Sequence, residues 1–170
     1  AHVFYLEDAK RLSAYGVDAL AHIVRDTPVD QELINSMKRN NTWMAASTLT
    51  REVALSAYAT TPAFLSDPFF TRAVRADVLN TLRSPEYQKK IASDTNLPRY
   101  AESLTTGKKN LKALADGGVK FGIGTDTGVP GRFQGYFEHM ELEQMVDAGL
   151  TPMQVIVAAT RSGAEFLNAK

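Results

Sequence analysis

Short apolar runs alternate with longer amphipathic stretches, and this alternation constrains the fold more than any other feature of the chain. The runs at residues 2–5, 17–23, 42–49 and 119–124 have the composition of buried strands. Strand and helix in alternation with short links is typical of parallel βα units. A complete (β/α)8 barrel of the TIM type takes about 250 residues. With 170 residues and four such runs, the chain is predicted to be α/β, a partial barrel of about four parallel strands.

The middle of the chain interrupts this alternation. Residues 51–107 carry several helical patterns, which are separated by Pro62, Pro68, Pro85 and Pro98. Because this region lacks a complete core pattern, we interpret it as a helical insertion within one domain that spans residues 1–170. A separate helix is expected at residues 108–115, and three more follow a glycine-rich loop near the end of the chain. Thr151 and Pro152 form a typical pair for the start of a helix.

Composition excludes several classes of function. The 19 basic and 19 acidic residues balance, so the basic excess of nucleic-acid or membrane-surface binding is absent. No apolar run approaches the roughly 20 residues of a membrane span. The sequence contains no cysteine, which excludes disulfides, thiolate nucleophiles and Cys–zinc sites. A metal site would therefore use carboxylates, a modified lysine or the three histidines, which are His2, His22 and His139.

Three residues of these types occupy equivalent places in the predicted sheet. His2 lies in the first run, His22 lies near the end of the second, and Asp126 follows the fourth. The carboxyl ends of parallel strands gather at one face, which holds the active site in such folds. Imidazole and carboxylate are ordinary zinc ligands. The placement favours a metal site, although it is also compatible with hydrogen-bonded core histidines and a turn-forming aspartate.

Three stretches of the chain resemble the amidohydrolase superfamily, in its imidazolonepropionase-like and Xaa-Pro dipeptidase-like group. The first runs from residue 2 through Gly-Val-Asp to residue 22, and the second is Gly-Ile-Gly-Thr-Asp-Thr-Gly at 122–128. The third is Glu-His-Met-Glu-Leu at 138–142 with the segment that follows, to residue 164. The resemblance implies strands 5–8 of the family's barrel, in order; the insertion matches least.

The resemblance also implies a site and a reaction. His2 and His22 would be metal ligands, and Asp126 would be both a ligand and the general base. The cofactor would be a divalent metal, zinc by the ligand types, and the reaction hydrolysis of an amide, lactam or dipeptide C–N bond. The family's His-x-His pair and carboxylated lysine have no counterpart, since no histidine precedes His2. With at most three ligands, these residues alone are expected to bind metal weakly and turn over little substrate.

Residues of the last loop are secondary candidates. His139, Arg132 and Tyr136 are predicted to contact the substrate, although a rim histidine and a solvated arginine are the simpler interpretations. Thr48 and Arg51 follow the third run and are expected to face the mouth of the barrel.

A second hypothesis is a non-catalytic half-barrel. Two open sheet edges and an uncovered apolar interior favour self-association. The partners expected are therefore a small-molecule substrate and either a second copy or a complementing N-terminal half. No secretory signal pattern is visible in these residues. The abrupt ends are interpreted as those of a piece of a longer protein, which leaves the compartment open.

Overall fold

A short parallel sheet holds the middle of the fold together. The computed structural model describes residues 1–169, in which β1 (Ala19–Ala21) pairs with β2 (Trp43–Ala46) in parallel. His2 joins β1 and Phe121 joins β2, each by a single parallel bridge. The α/β class is thereby confirmed. The expected four strands are not, since within residues 1–169 only β1 and β2 form strands.

The outer runs stay short for local reasons. The first run makes one bridge and then turns away, and α1 begins four residues after His2. The last run contains Gly122 and Gly124, which weaken a strand because they add backbone entropy and pack no side chain. Backbone bonds nevertheless continue along it, from Gly122 N–H to the Met44 carbonyl and from Thr48 N–H to the Gly124 carbonyl, both 2.9 Å.

Two helices flank the sheet in the first third of the chain. They are α1 (Leu6–Ala14) and α2 (Gln31–Arg39). Gly16 has a φ of 76°, a left-handed conformation that glycine adopts easily just after the end of a helix. The start of α2 is set by Asp30, because its side chain accepts a hydrogen bond from Leu33 N–H at 3.0 Å and caps the helix there.

The region interpreted as an insertion is mainly helical. It comprises α3 (Leu49–Ala57), a 3₁₀ turn (Ala63–Ser66), α4 (Pro68–Thr71), α5 (Ala76–Arg83), α6 (Pro85–Ala92) and α7 (Leu97–Asp116). The prediction of a separate helix at residues 108–115 is wrong, because these residues belong to α7, which continues through Gly107 without a break. A Cβ atom at position 107 would lie 3.0 Å from Ile23 Cγ2. Gly107 thus permits close packing of α7 on the segment after β1.

The chain continues with α8 (Tyr136–Asp147), α9 (Pro152–Val157), a π-helical turn (Ala158–Ser162) and α10 (Gly163–Phe166). Thr151 caps α9 as predicted, since its hydroxyl accepts a hydrogen bond from Gln154 N–H at 3.2 Å. No helix in the described part of the chain has the length and apolar character needed to cross a bilayer.

The buried side chains form two clusters. The larger one surrounds the sheet and includes Leu20, Met44, Leu111 and Met145. The smaller one is rich in aromatic rings and joins the insertion to α8 through Tyr58, Leu65, Phe70 and Phe137. The insertion therefore packs on the segment that follows the loop of Asp126.

Candidate functional site

Two imidazole rings meet at the carboxyl end of the sheet. His2 Nδ1 and His22 Nε2 are 2.6 Å apart, although twenty positions separate the residues along the chain. The two side chains come together because the backbone of His2 bridges to Ala21, which immediately precedes His22. The His22 ring is buried, whereas the His2 ring is exposed.

The backbone turns sharply where each segment reaches this face. His22, Thr48 and Asp126 all have left-handed backbone conformations, with φ values of 73°, 55° and 55°. Few residues with a side chain adopt this conformation, which costs on the order of 1 kcal/mol or more and is concentrated at functional sites. In each case the turn comes directly after a sheet segment or shortly beyond it.

Thr48 orients the His22 ring. Its Oγ1 lies 3.0 Å from His22 Nδ1, on the opposite side of the ring from His2. When the proton of the neutral ring is on Nδ1, it is donated to Thr48, and the lone pair on Nε2 faces His2. This is the orientation in which an imidazole binds a metal through Nε2.

Glu141 fixes the turn that carries Thr48. It belongs to α8 and is fully buried. One carboxylate oxygen accepts hydrogen bonds from the Ser47 hydroxyl at 2.5 Å and from Leu49 N–H at 2.9 Å. The other accepts two bonds from Thr50. Burial raises the pKa of Glu141, although these four donors favour its ionised form.

His22 is held in its neutral form. Burial lowers its pKa to about 4, an effect that the negative charge of Asp126 partly opposes and that the nearby His2, Arg25 and Arg51 reinforce. A neutral imidazole is the form that can donate a lone pair to a cation.

Asp126 lies on the last loop, where its negative charge acts on the pKa of His22. Its side chain is exposed, and its Oδ2 lies 3.3 Å from Arg132 Nη1. Glu138 holds the loop on both sides of Asp126, because its Oε1 accepts bonds from Thr125 at 2.7 Å and from Thr127 at 3.2 Å. Arg132 thus contacts the predicted general base, whereas its predicted contact with a substrate is untested.

The other two predicted contact residues lie against the insertion. The His139 ring is exposed and packs edge-on against Phe69, with 5.1 Å between ring centroids. Tyr136 packs on Phe64 and Phe70 in the aromatic cluster. Within residues 1–169, the ring contacts of both residues are with aromatic side chains other than the histidine pair.

A cluster of arginines adjoins the histidine pair. The Phe4 ring stacks on the His22 ring at 4.5 Å, and the Arg25 guanidinium lies 3.8 Å from the same Phe4 centroid. Glu52 accepts hydrogen bonds from both Arg25 and Arg51 through one oxygen, Oε1. Burial lowers the pKa of Arg25 to about 10.

The donor chemistry fits part of a metal centre. Two imidazole nitrogens lie within hydrogen-bond distance of each other, and nitrogen ligands of a tetrahedral zinc ion lie about 3.3 Å apart. The distance between His2 Nδ1 and His22 Nε2 is shorter, 2.6 Å, so the two rings would have to move apart by a fraction of an ångström to hold an ion. Within residues 1–169, however, no three His, Asp or Glu side chains form a group able to hold a metal.

Glu141 and Glu52 are not among the predicted site residues. Glu141 stands four residues after Phe137 and four before Met145, on the apolar stripe of its helix. A charged residue in such a stripe indicates a buried partner. Glu52 gives no comparable signal, because its partner Arg25 comes from a different segment of the chain.

Solved structures share this fold over nearly the whole chain. A Xaa-Pro dipeptidase with bound methionine in its active site matches with a TM-score of 0.63 and 23% identity. A prolidase complexed with N-methylphosphonate-L-proline matches with a TM-score of 0.60 and 20% identity. The matches cover 99% and 100% of this chain but 33% of each of those chains. The chain thus spans about a third of the length of the structures that it resembles.

Comparison by sequence adds no assignment. No family model matches the chain, and no curated protein matches it.

Proposed function

We propose that this chain supplies part of the active site of a metal-dependent hydrolase of the amidohydrolase type, which acts on the C–N bond of a small amide, lactam or dipeptide. The observation that carries the proposal is the approach of His2 Nδ1 to His22 Nε2 at 2.6 Å, at the carboxyl end of parallel segments. The fold shared with a Xaa-Pro dipeptidase and a prolidase supports it. The four parallel segments would correspond to half of a barrel.

Each residue then has a role that its surroundings support. His2 and His22 would hold a divalent metal, zinc by ligand type, and Asp126 would complete their set. A bound divalent metal polarises a carbonyl and lowers the pKa of water. Asp126 would accept the proton of the attacking water and deliver it to the leaving nitrogen. Arg132 would orient the Asp126 carboxylate, and Thr48 would orient His22.

Metal binding tests the proposal directly. Cobalt(II) titrated into the purified chain should give absorption bands typical of nitrogen and oxygen ligands, and His22→Ala should abolish them. His139→Ala is the matched control, because that ring is exposed and packs on Phe69. Equal cobalt binding by the wild type and His22→Ala would contradict the proposal. Hydrolysis of N-acyl amino acids, lactams and dipeptides, measured with metal added, then tests the reaction.

Self-association is the second candidate. Met153 and Ile156 on α9 are 66% and 54% exposed, which is unusual for large apolar side chains on one short helix. Pairing through this surface would bring a second copy against α9. Sedimentation at micromolar concentration should show a dimer that Ile156→Glu dissociates. A monomeric wild type would exclude this candidate.

A further inference from the structure

The helix α3 contacts two parts of the candidate site, one at each of its ends. Thr48 precedes its first residue, and the Thr48 hydroxyl contacts the His22 ring. Tyr58 follows its last residue, and the Tyr58 hydroxyl donates a hydrogen bond of 2.7 Å to the Gly131 carbonyl, 73 positions along the chain. Gly131 belongs to the loop that carries Asp126. One helix therefore joins a candidate metal ligand to the loop of another.

Tyr58 is a rigid donor. Its side chain is 1% exposed and belongs to the aromatic cluster. The rings of Phe64 and Tyr87 pack edge-on against it, with 5.7 Å and 5.8 Å between centroids. Burial raises the pKa of Tyr58, so the hydroxyl keeps its proton and remains a donor. A buried hydrogen bond from such a ring holds its acceptor more firmly than a bond exposed to water does.

Gly131 occupies the third position of a tight turn. The turn is closed by Arg132 N–H, which donates to the Val129 carbonyl at 3.1 Å. Pro130 stands in its second position, and Gly131 has a φ of 82°. Proline followed by glycine with a positive φ is typical of a type II turn. A Cβ atom at Gly131 would lie 3.0 Å from Tyr58 Cε2, so the turn also packs directly on the Tyr58 ring.

Arg132, the last residue of this turn, connects the turn to Asp126. Its Nη1 lies 3.3 Å from Asp126 Oδ2, and its side chain is only 11% exposed. Its carbonyl accepts a hydrogen bond of 3.4 Å from Gly128 N–H, which brings the two sides of the loop together. Glu138 holds the residues next to Asp126, and the turn lies at the other side of the loop. Movement of the turn would therefore move the guanidinium that pairs with Asp126.

We propose that Tyr58 is a positioning residue, whose hydroxyl fixes the turn at Gly131 and, through Arg132, the place of the Asp126 carboxylate. The inference rests on the proposed function, in which Asp126 completes the ligand set and accepts a proton. The two ends of α3 then set the separation between His22 and Asp126. In this way the helical insertion contributes to the geometry of the site as well as to the stability of the fold.

Hydrogen exchange in the metal-free chain tests the contact between Tyr58 and the turn. Tyr58→Phe keeps the ring and removes the hydroxyl. The Arg132 amide, which closes the turn, should exchange about tenfold faster, as expected when one bond is lost and its acceptor stays buried. The Met44 amide, bonded within the sheet, should keep its rate. Tyr100→Phe is the matched control, since that hydroxyl bonds to Asp94 of the insertion at 3.0 Å.

A double-mutant cycle tests whether Tyr58 acts through Asp126. Tyr58→Phe should weaken cobalt binding about fivefold in the otherwise wild-type chain. In an Asp126→Asn background it should change the affinity by less than about twofold, because the carboxylate that the turn positions is already gone. General loosening of the structure would weaken cobalt binding equally in both backgrounds.

Three results would overturn the proposal. They are an unchanged Arg132 exchange rate in Tyr58→Phe, equal acceleration at Met44, and equal loss of cobalt affinity in the two backgrounds. If Tyr58→Phe fails to fold, Gly131→Ala takes its place, because its methyl group would push the same turn away from the ring. A wild type that binds no cobalt would refute the proposed function, whereas the exchange rates, measured without metal, still decide whether Tyr58 holds the loop.

Discussion

Glu141 and Thr50, 91 positions apart in the chain, are joined by two hydrogen bonds to the same carboxylate oxygen. Thr50 N–H donates at 2.8 Å and its hydroxyl at 2.7 Å. The first turn of α3 is therefore anchored by a side chain from α8. Since Thr48 immediately precedes α3 and contacts His22, the anchor extends to the candidate site.

Glu141→Gln should destabilise the chain by about 3 kcal/mol. The NH₂ group of the new amide would face the N–H and O–H donors that now bind the buried carboxylate, and neither side could accept a hydrogen bond from the other. Denaturant unfolding followed by circular dichroism measures the effect. Glu143→Gln, at an exposed position of the same helix, should change the free energy of unfolding by less than about 0.5 kcal/mol. Similar midpoints for the two variants would contradict this account of α3.

Stability should fall as the pH falls from 6.5 toward 4. Folded His22 remains neutral until its pKa of about 4, whereas the unfolded chain takes up the proton near 6.5. The unfolded state therefore binds more protons in this window, and the contribution of His22 to stability decreases by up to about 3 kcal/mol.

His22→Gln should flatten this pH dependence, and His139→Gln should leave it unchanged. The quantity to compare is the slope of unfolding free energy against pH between 4 and 6.5 for the three proteins. A His22→Gln slope equal to that of the wild type would mean that other groups cause the dependence.

Gly124→Ala should lower stability by about 2 kcal/mol or more, because its new methyl group would meet a fixed neighbour. The Cβ would lie 2.5 Å from Ala46 Cβ in β2, and neither atom can rotate away. Gly163→Ala is the matched control, since nothing lies within 4 Å of that Cβ and the residue is helical. It should gain up to about 1 kcal/mol. Thermal unfolding of both variants separates the two effects, and a stable Gly124→Ala would refute the close approach.

Thr48→Val should weaken cobalt binding by about tenfold while the chain stays folded, as losses of hydrogen bonds to metal-bound histidines do. Valine keeps the shape of threonine and removes the hydroxyl that contacts His22 Nδ1. Thr60→Val, at an exposed position, should bind as the wild type does. Unchanged affinity in Thr48→Val would show that the hydroxyl does not orient the ring.

Local signals in the sequence predicted part of this structure well. Thr151 before a proline indicated the cap of α9, because a helix cap depends on residues within one turn. The approach of His2 to His22 followed from parallel segments alone. The helix expected at residues 108–115 was predicted too short, since the close contact with Ile23 that accommodates Gly107 inside α7 is not local. The four bonds of Glu141 depend on tertiary packing as well, and their partners could not be named from the sequence.

The left-handed backbone conformations at His22, Thr48 and Asp126 determine which substitutions would stabilise the chain at these positions. Glycine would relax the backbone at each of the three, so selection for stability alone would favour it there. An imidazole, a hydroxyl and a carboxylate stand in those positions instead. The increase in the free energy of unfolding on replacing each residue by glycine would therefore measure the stability lost by keeping a side chain at that position.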